Sequence, residues 1–169
     1  MTSNVRLPTS IFVFLVLAGA LQAHAYASKL PAVVASHFTG PGTPNGWQTQ
    51  SAFFLTELIV VVMAAVVGFG VPAIIGVVPL SLMNLPNKQS WFAPERREST
   101  LAYFRVQFAW FGCGLLAFLL CVNELVFRAN LTTPRRLNAT AFTVVLMVFL
   151  AFVLVWTVRL IGHFSREPK

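Results

Sequence analysis

Apolar and polar positions fall into long blocks along this chain, not into the short alternations of a water-soluble domain. Four apolar blocks occupy 10–27, 52–82, 108–127 and 141–161. A hydrocarbon core takes about 20 helical residues to cross, so each block is long enough for one crossing. The pattern predicts an all-α membrane protein, one integral membrane domain over 1–169, with spans at about 10–27, 52–72, 106–127 and 141–161. An exported loop of strand–turn character at 28–51 and a cytoplasmic loop at 84–104 complete it.

The second block is too long for one straight crossing. As an ideal helix it would reach roughly 46 Å, against a core of about 30 Å. Gly68, Gly70, Pro72, Gly76 and Pro79 lie inside it. Pro72 removes a backbone donor, which predicts a kink or an end near Val71. The first block has an alternative reading. Arg6, the apolar stretch 11–21 and Ala23-His24-Ala25 have the three-part layout of a secretory signal peptide. A retained helix is preferred here, and in either case the segment after it is exported.

That segment holds Pro31, Pro41, Pro44, Gly40, Gly42 and Gly46. Val33–Phe38 reads as a short strand and 39–46 as turn, with Asn45-Gly46 the strongest turn dipeptide. Val33, Val34, Phe38 and Trp47 are expected to bury against the helix ends and make the loop an ordered cap. In the 84–104 loop, Pro94 suits the first turn of a helix, with Glu95 and Glu98 at its positive end. That helix is expected to run unbroken into the third span. Trp91, Phe92 and Tyr103 are expected at headgroup level.

Composition sharpens this picture. Hydrophobic residues make up 57% and charged residues 10%, far from the roughly quarter charged of soluble domains. The formal net charge of +7 would suggest nucleic acid in a soluble chain. Here the basic residues sit at block ends, where they set topology and meet anionic headgroups, so no nucleic-acid partner is expected. With the N-terminus inside, the inner side holds Arg6, Lys88, Arg96, Arg97, Arg105, Arg159, Arg166 and Lys169. The outer side holds Lys29, Arg128, Arg135 and Arg136, and eight against four predicts both termini in the cytoplasm.

Candidate chemistry is sparse. Cys113 and Cys121 are eight apart, loosely on one helix face, and read as apolar filler. No Ser/His/Asp set, phosphate loop or His-x-x-x-His pair occurs, so neither an enzyme nor a cofactor is expected. Gly68-x-Gly70 and Gly112-x-Gly114 read as sites of close helix packing. Asn130-Leu-Thr132 and Asn138-Ala-Thr140 fit the glycosylation pattern and are discounted as chance matches.

Glu57 and Glu124 enter apolar blocks, and intramembrane carboxylates are functional-site candidates by default. Topology brings both near the outer face, at the depth of His24 and below His37. Together the four are weak candidates for a divalent metal or a proton relay. Asn123, His24 and Arg128 are the partners available to the two carboxylates. The structural alternative is an ordinary i, i+4 pair of Glu124 with Arg128, and Glu57 reaching water or Lys29.

The exported segment reads Leu30-Pro31, His37-Phe38, then Gly42-x-Pro44-Asn45-Gly46-Trp47, directly after a first apolar helix. This resembles a bacterial membrane domain of unknown function found at the front of SdpI-type proteins. Leu85-Pro86-Asn87-Lys88, Trp91 and Ala93-Pro94-Glu95-Arg96-Arg97 resemble a stand-alone subgroup of about this length. The resemblance implies a multi-pass protein of the bacterial inner membrane and favours retention of the first helix. It also points toward an immunity or signalling role, although SdpI-type proteins usually carry further spans.

Two functional readings lead, ahead of a membrane enzyme with His37 or the glutamates in catalysis. In the first, a non-enzymatic interaction, immunity-like or signalling component uses the loop residues Pro31, His37, Phe38, Gly42, Pro44, Gly46 and Trp47 to meet an envelope protein or peptide. The segment with Trp91, Pro94, Glu95, Arg96 and Arg97 transmits or anchors. In the second, a small transporter or ion-coupled subunit uses Glu57 and Glu124. Membrane lipids are partners under both, and the sequence leaves the oligomeric state open.

Overall fold

The third apolar block forms the middle of a much longer helix, 34 residues from Arg97 to Asn130, in a computed structural model that describes residues 4–166. In chain order the elements are α1 (Arg6–Ala27), β1 (Val33–Phe38), β2 (Pro44–Thr49), α2 (Gln50–Ala65), a π-turn (Val66–Gly70) and α3 (Val71–Ile75). A 3-10 turn (Leu80–Leu82), α4 (Lys88–Trp91), α5 (Arg97–Asn130) and α6 (Ala139–Phe164) follow. Four helical stretches, Arg6–Ala27, Gln50–Ile75, Arg97–Asn130 and Ala139–Phe164, are long and apolar enough to cross a membrane.

Helix α5 is the axis. It packs against α1, against the π-turn and α3, and against α6, while those outer helices touch one another only sparsely. Small residues allow the approach. A Cβ on Gly112 of α5 would lie 3.0 Å from the Cα of Gly68 in the π-turn, and one on Gly68 would lie 3.3 Å from the Cα of Gly112. Gly114 makes room for the Phe152 ring of α6, and Gly19 of α1 for the Leu120 side chain. Gly70 meets only Val66 of its own helix, so close packing holds for Gly68, Gly112 and Gly114 but not for Gly70.

Of the two outcomes expected at Pro72, a kink or an end, the end does not occur. The helix neither ends nor breaks near Val71 but continues through Pro72 to Ile75. Pro72 lacks a donor, and its ring would crowd the carbonyl one turn before it. The π-turn Val66–Gly70 sits just ahead, with the Val71 N–H donating to the Val66 carbonyl. One extra residue in that turn loosens the helix where the proline needs space.

The 28–51 segment holds an antiparallel hairpin, with Val34 opposite Gln48, Ala35 opposite Trp47 and Phe38 opposite Pro44. Its turn is not Asn45-Gly46. The chain reverses between Thr39 and Thr43, where Thr39 N–H donates to Thr43 O and Gly42 N–H to Thr39 O, each 2.8 Å. Gly42 carries φ +88°, a conformation that suits glycine. Asn45 and Gly46 lie in β2 instead. Gly46 faces His37 across the ladder, and a Cβ there would come within 2.8 Å of the His37 Cβ.

At the other end, α5 starts at Arg97 and not at Pro94, which sits in the preceding turn with Glu95. From Arg97 it runs unbroken past Tyr103 and Arg105. Phe92, Leu101, Phe104 and Phe164 form a buried cluster that ties this loop to the end of α6. Cys113 is buried and donates to the Pro8 carbonyl at 3.1 Å, whereas Cys121 is exposed, so the two thiols face different ways.

Candidate functional site

The hairpin is seated on the helix bundle by a polar clamp. Asn130, in the last turn of α5, is buried. Its Oδ1 accepts the Ala35 N–H at 2.7 Å, and its Nδ2 donates to the Ala35 carbonyl at 2.9 Å and to Val126 O at 3.0 Å. A side-chain amide thus replaces a third strand, satisfying both peptide groups of β1 at that position. The link between α5 and α6 adds further bonds. Leu137 N–H donates to Gly42 O at 2.9 Å, Arg135 donates to Val33 O at 3.0 Å and Arg136 to Pro41 O at 3.3 Å. Below the hairpin, Leu30, Val34, Phe53, Val126, Phe127 and Leu137 share one apolar core. Tyr26 stacks on Phe127 with ring centroids 4.6 Å apart.

The predicted loop residues divide between seat and surface. Phe38 is half-buried against the core and Gly42 lies against Leu137. Pro31 and Pro44 are half-buried, and Gly46 accommodates His37. His37 is exposed and shares a hydrogen bond with Asn45. Val33 and Trp47 are half exposed, so these two do not bury as expected, and Val34 and Ala35 are the buried anchors. Trp47 faces outward, and the Arg135 guanidinium lies 5.3 Å from its ring centroid, while Val34 and Ala35 of β1 fill the seat. The outward surface is a compact set of Trp47, His37, Asn45 and Arg135.

Beneath the cap, two consecutive residues of α5 reach in different directions. Asn123 donates to Glu57 of α2. Glu124 turns to α1, accepting from Gln22 at 2.9 Å and from Tyr26 at 2.8 Å, and pairs with Arg128 at 2.6 Å. A step of one residue rotates the side chain by about 100° on a helix, which is why the pair bridges both flanking helices. The result is a set of polar contacts across α2, α5 and α1 near the hairpin end, in which Glu57 and Glu124 keep separate partners. Gln22 and Tyr26 of α1, four residues apart, are the partners of Glu124. Their i, i+4 spacing inside an apolar block is the signal that marks them as one polar face.

Among the described residues no group of three or more His, Cys, Asp or Glu side chains is placed to hold a metal ion. Glu57 and Glu124 engage different partners, His37 is taken up by Asn45 in the hairpin, and His24 is exposed on α1. The four lie at one end of the molecule, where His24 and Glu57 line one groove between α1 and α2 while Glu124 and His37 engage other partners.

At the far end, the Trp91 Nε1–H donates to the Phe164 carbonyl at 3.2 Å, and Thr100 Oγ1 donates to the Trp91 carbonyl at 2.7 Å. Tyr103 stacks on His163 at 3.9 Å between centroids. Arg97 donates to the Gly76 carbonyl, tying the loop to the end of the second span. Arg96 is half-buried ahead of α5, while Pro94 and Glu95 are exposed. Trp91 and Arg97 therefore tie the loop down, whereas Pro94 and Glu95 are exposed.

No family model, curated protein or solved structure matches this chain.

Proposed function

We propose that this chain is a non-enzymatic interaction protein of the bacterial inner membrane, with both termini in the cytoplasm and the hairpin exported. The observation that carries the reading is the seating of the hairpin. A loop clamped at Ala35 by Asn130 and at Gly42 by Leu137 loses little conformational freedom on binding, and preorganisation of that kind favours recognition. Its exposed Trp47, beside Arg135 and the His37–Asn45 pair, belongs to the residue types that anchor interfaces. An envelope protein or peptide is the partner this surface suits, and the resemblance to SdpI-type domains points toward an immunity or signalling setting.

A photo-crosslinking residue at position 47 or 37 in living cells tests this. A discrete adduct from those positions, absent from a control probe at the lipid-facing Val148 and lost with Arg135→Ala, supports the reading. Crosslinks to lipid alone from position 47 refute it.

The second reading, a small transporter or ion-coupled subunit, is favoured by the polar contacts of Glu57, Asn123, Glu124 and Gln22 inside apolar helices. Under that reading Glu57→Gln abolishes function while Trp47→Ala leaves it intact, the reverse of the first.

A further inference from the structure

Glu57 and Glu124 sit at the same end of the bundle but are neutralised unequally. Glu124 has a guanidinium, a phenol and an amide around it. Glu57 has one amide, from Asn123 to its Oε2, and its Oε1 has no hydrogen-bond partner among the described residues. No cation pairs with Glu57 there either. Arg128 is held by Glu124, and Lys29 lies over the Tyr26 ring, 5.5 Å from its centroid. A half-buried carboxylate in an apolar helix without a counter-charge is costly.

Glu57 also faces a cavity. Because α1 and α2 both pack on α5 and barely on each other, a groove of about 400 Å³ opens between them, floored by Leu116, Leu120 and Asn123 of α5. That volume lies in the usual range of small-molecule sites. The lining has a direction. Gln22, His24, Glu57 and Asn123 line its hairpin end. Away from them the walls are apolar, with Leu15 and Val16 on α1 and Val61 on α2.

We propose that this groove binds an amphiphile with a cationic ammonium head and a single apolar tail. The ammonium supplies the charge that Glu57 lacks and donates to its free Oε1. The tail lies along α5 between α1 and α2, where it covers apolar surface that no helix covers. Glu124 takes no part, because its oxygens are already engaged. The proposal concerns binding alone, and it stands whether or not the hairpin recognises a partner or the ligand crosses the membrane.

Equilibrium binding of labelled dodecylammonium, dodecyl sulfate and 1-dodecanol to the full chain in phosphatidylcholine nanodiscs tests it. The three probes share a tail and differ in head. The expected result is saturable dodecylammonium binding at least about tenfold tighter than dodecyl sulfate, equal to about 1.4 kcal/mol. Glu57→Gln is expected to erase that preference while dodecanol still binds, which reports an intact groove. Glu124→Gln is expected to leave the preference unchanged. Ala23→Phe, which fills the groove from α1, is expected to remove saturable binding of all three. Binding that ignores head charge in the unaltered protein would assign the groove to ordinary lipid tails and overturn the proposal. So would a preference that survives Glu57→Gln, or no saturable binding at all.

Discussion

Asn130 and Ala35 are joined through three groups: the amide of one side chain and both peptide groups of one strand residue, at 2.7 and 2.9 Å. Ala35 is fully buried, so water cannot replace these bonds. The clamp makes the hairpin part of the bundle.

Replacing Asn130 by alanine strands the Ala35 N–H and carbonyl without partners. Each buried unsatisfied group costs about 1–3 kcal/mol, so Asn130→Ala is expected to lower stability by about 2 kcal/mol or more. Asn130→Asp is expected to be at least as severe, because an ionised carboxylate offers no donor to Ala35 O and Val126 O. Chemical unfolding in detergent, followed by circular dichroism, measures both. An Asn130→Ala protein as stable as the original contradicts the clamp.

Trp47 and Val34 are expected to behave oppositely to their sizes. Trp47 is 51% exposed and Val34 is 0% exposed. Trp47→Ala loses its partial burial and a surface cation–π contact, the latter about 0.5–1 kcal/mol. Val34→Ala removes two buried methyl groups, about 1.6 kcal/mol by transfer alone. The larger fall in melting temperature is therefore expected for Val34→Ala. The reverse order would restore Trp47 as a structural anchor.

The contact of α5 with the π-turn is expected to reject side chains. In Gly112→Val, the new atoms would meet the Gly68 Cα, 3.0 Å from a Cβ at position 112, and overpacking of this kind costs about 1–3 kcal/mol. Gly70→Ala meets only a Val66 methyl at 3.4 Å and is expected to fold normally. Monodispersity and melting temperature compared across the two variants check the contrast.

Topology is open to thiol labelling on whole cells, in a Cys121→Ala background that removes the exposed native thiol. Thr43, Ser99, Thr132 and Ser165 are all exposed. Thr43 and Thr132 belong to one end, since the hairpin is bonded to the α5–α6 link. Ser99 and Ser165 belong to the other, near Trp91 and Phe164. An impermeant reagent is expected to label cysteines at 43 and 132 and spare those at 99 and 165. The opposite pattern would invert the orientation drawn from Lys and Arg.

What the chain alone makes legible is what depends on local composition. Four apolar blocks predict four long helices because helix length and side-chain hydropathy suffice for that inference, and four such helices are present. Val33–Phe38 is legible as a strand for the same reason, through its β-branched and aromatic residues. The i, i+4 pair of Glu124 with Arg128 follows from helical spacing and is present.

Tertiary structure decided the rest. Gly42, not Asn45-Gly46, carries the turn, because Leu137 from the α5–α6 link lies against it and Gly46 is needed opposite His37. Pro72 is carried through the helix by a π-turn whose Gly68 is held at Gly112 of α5. The different fates of Glu57 and Glu124 depend on which faces of α1 and α2 meet Asn123 and Glu124. Local composition predicts that a helix forms; which of its faces meets a neighbour depends on packing between segments far apart in the chain, and that relation is not carried by any one of them.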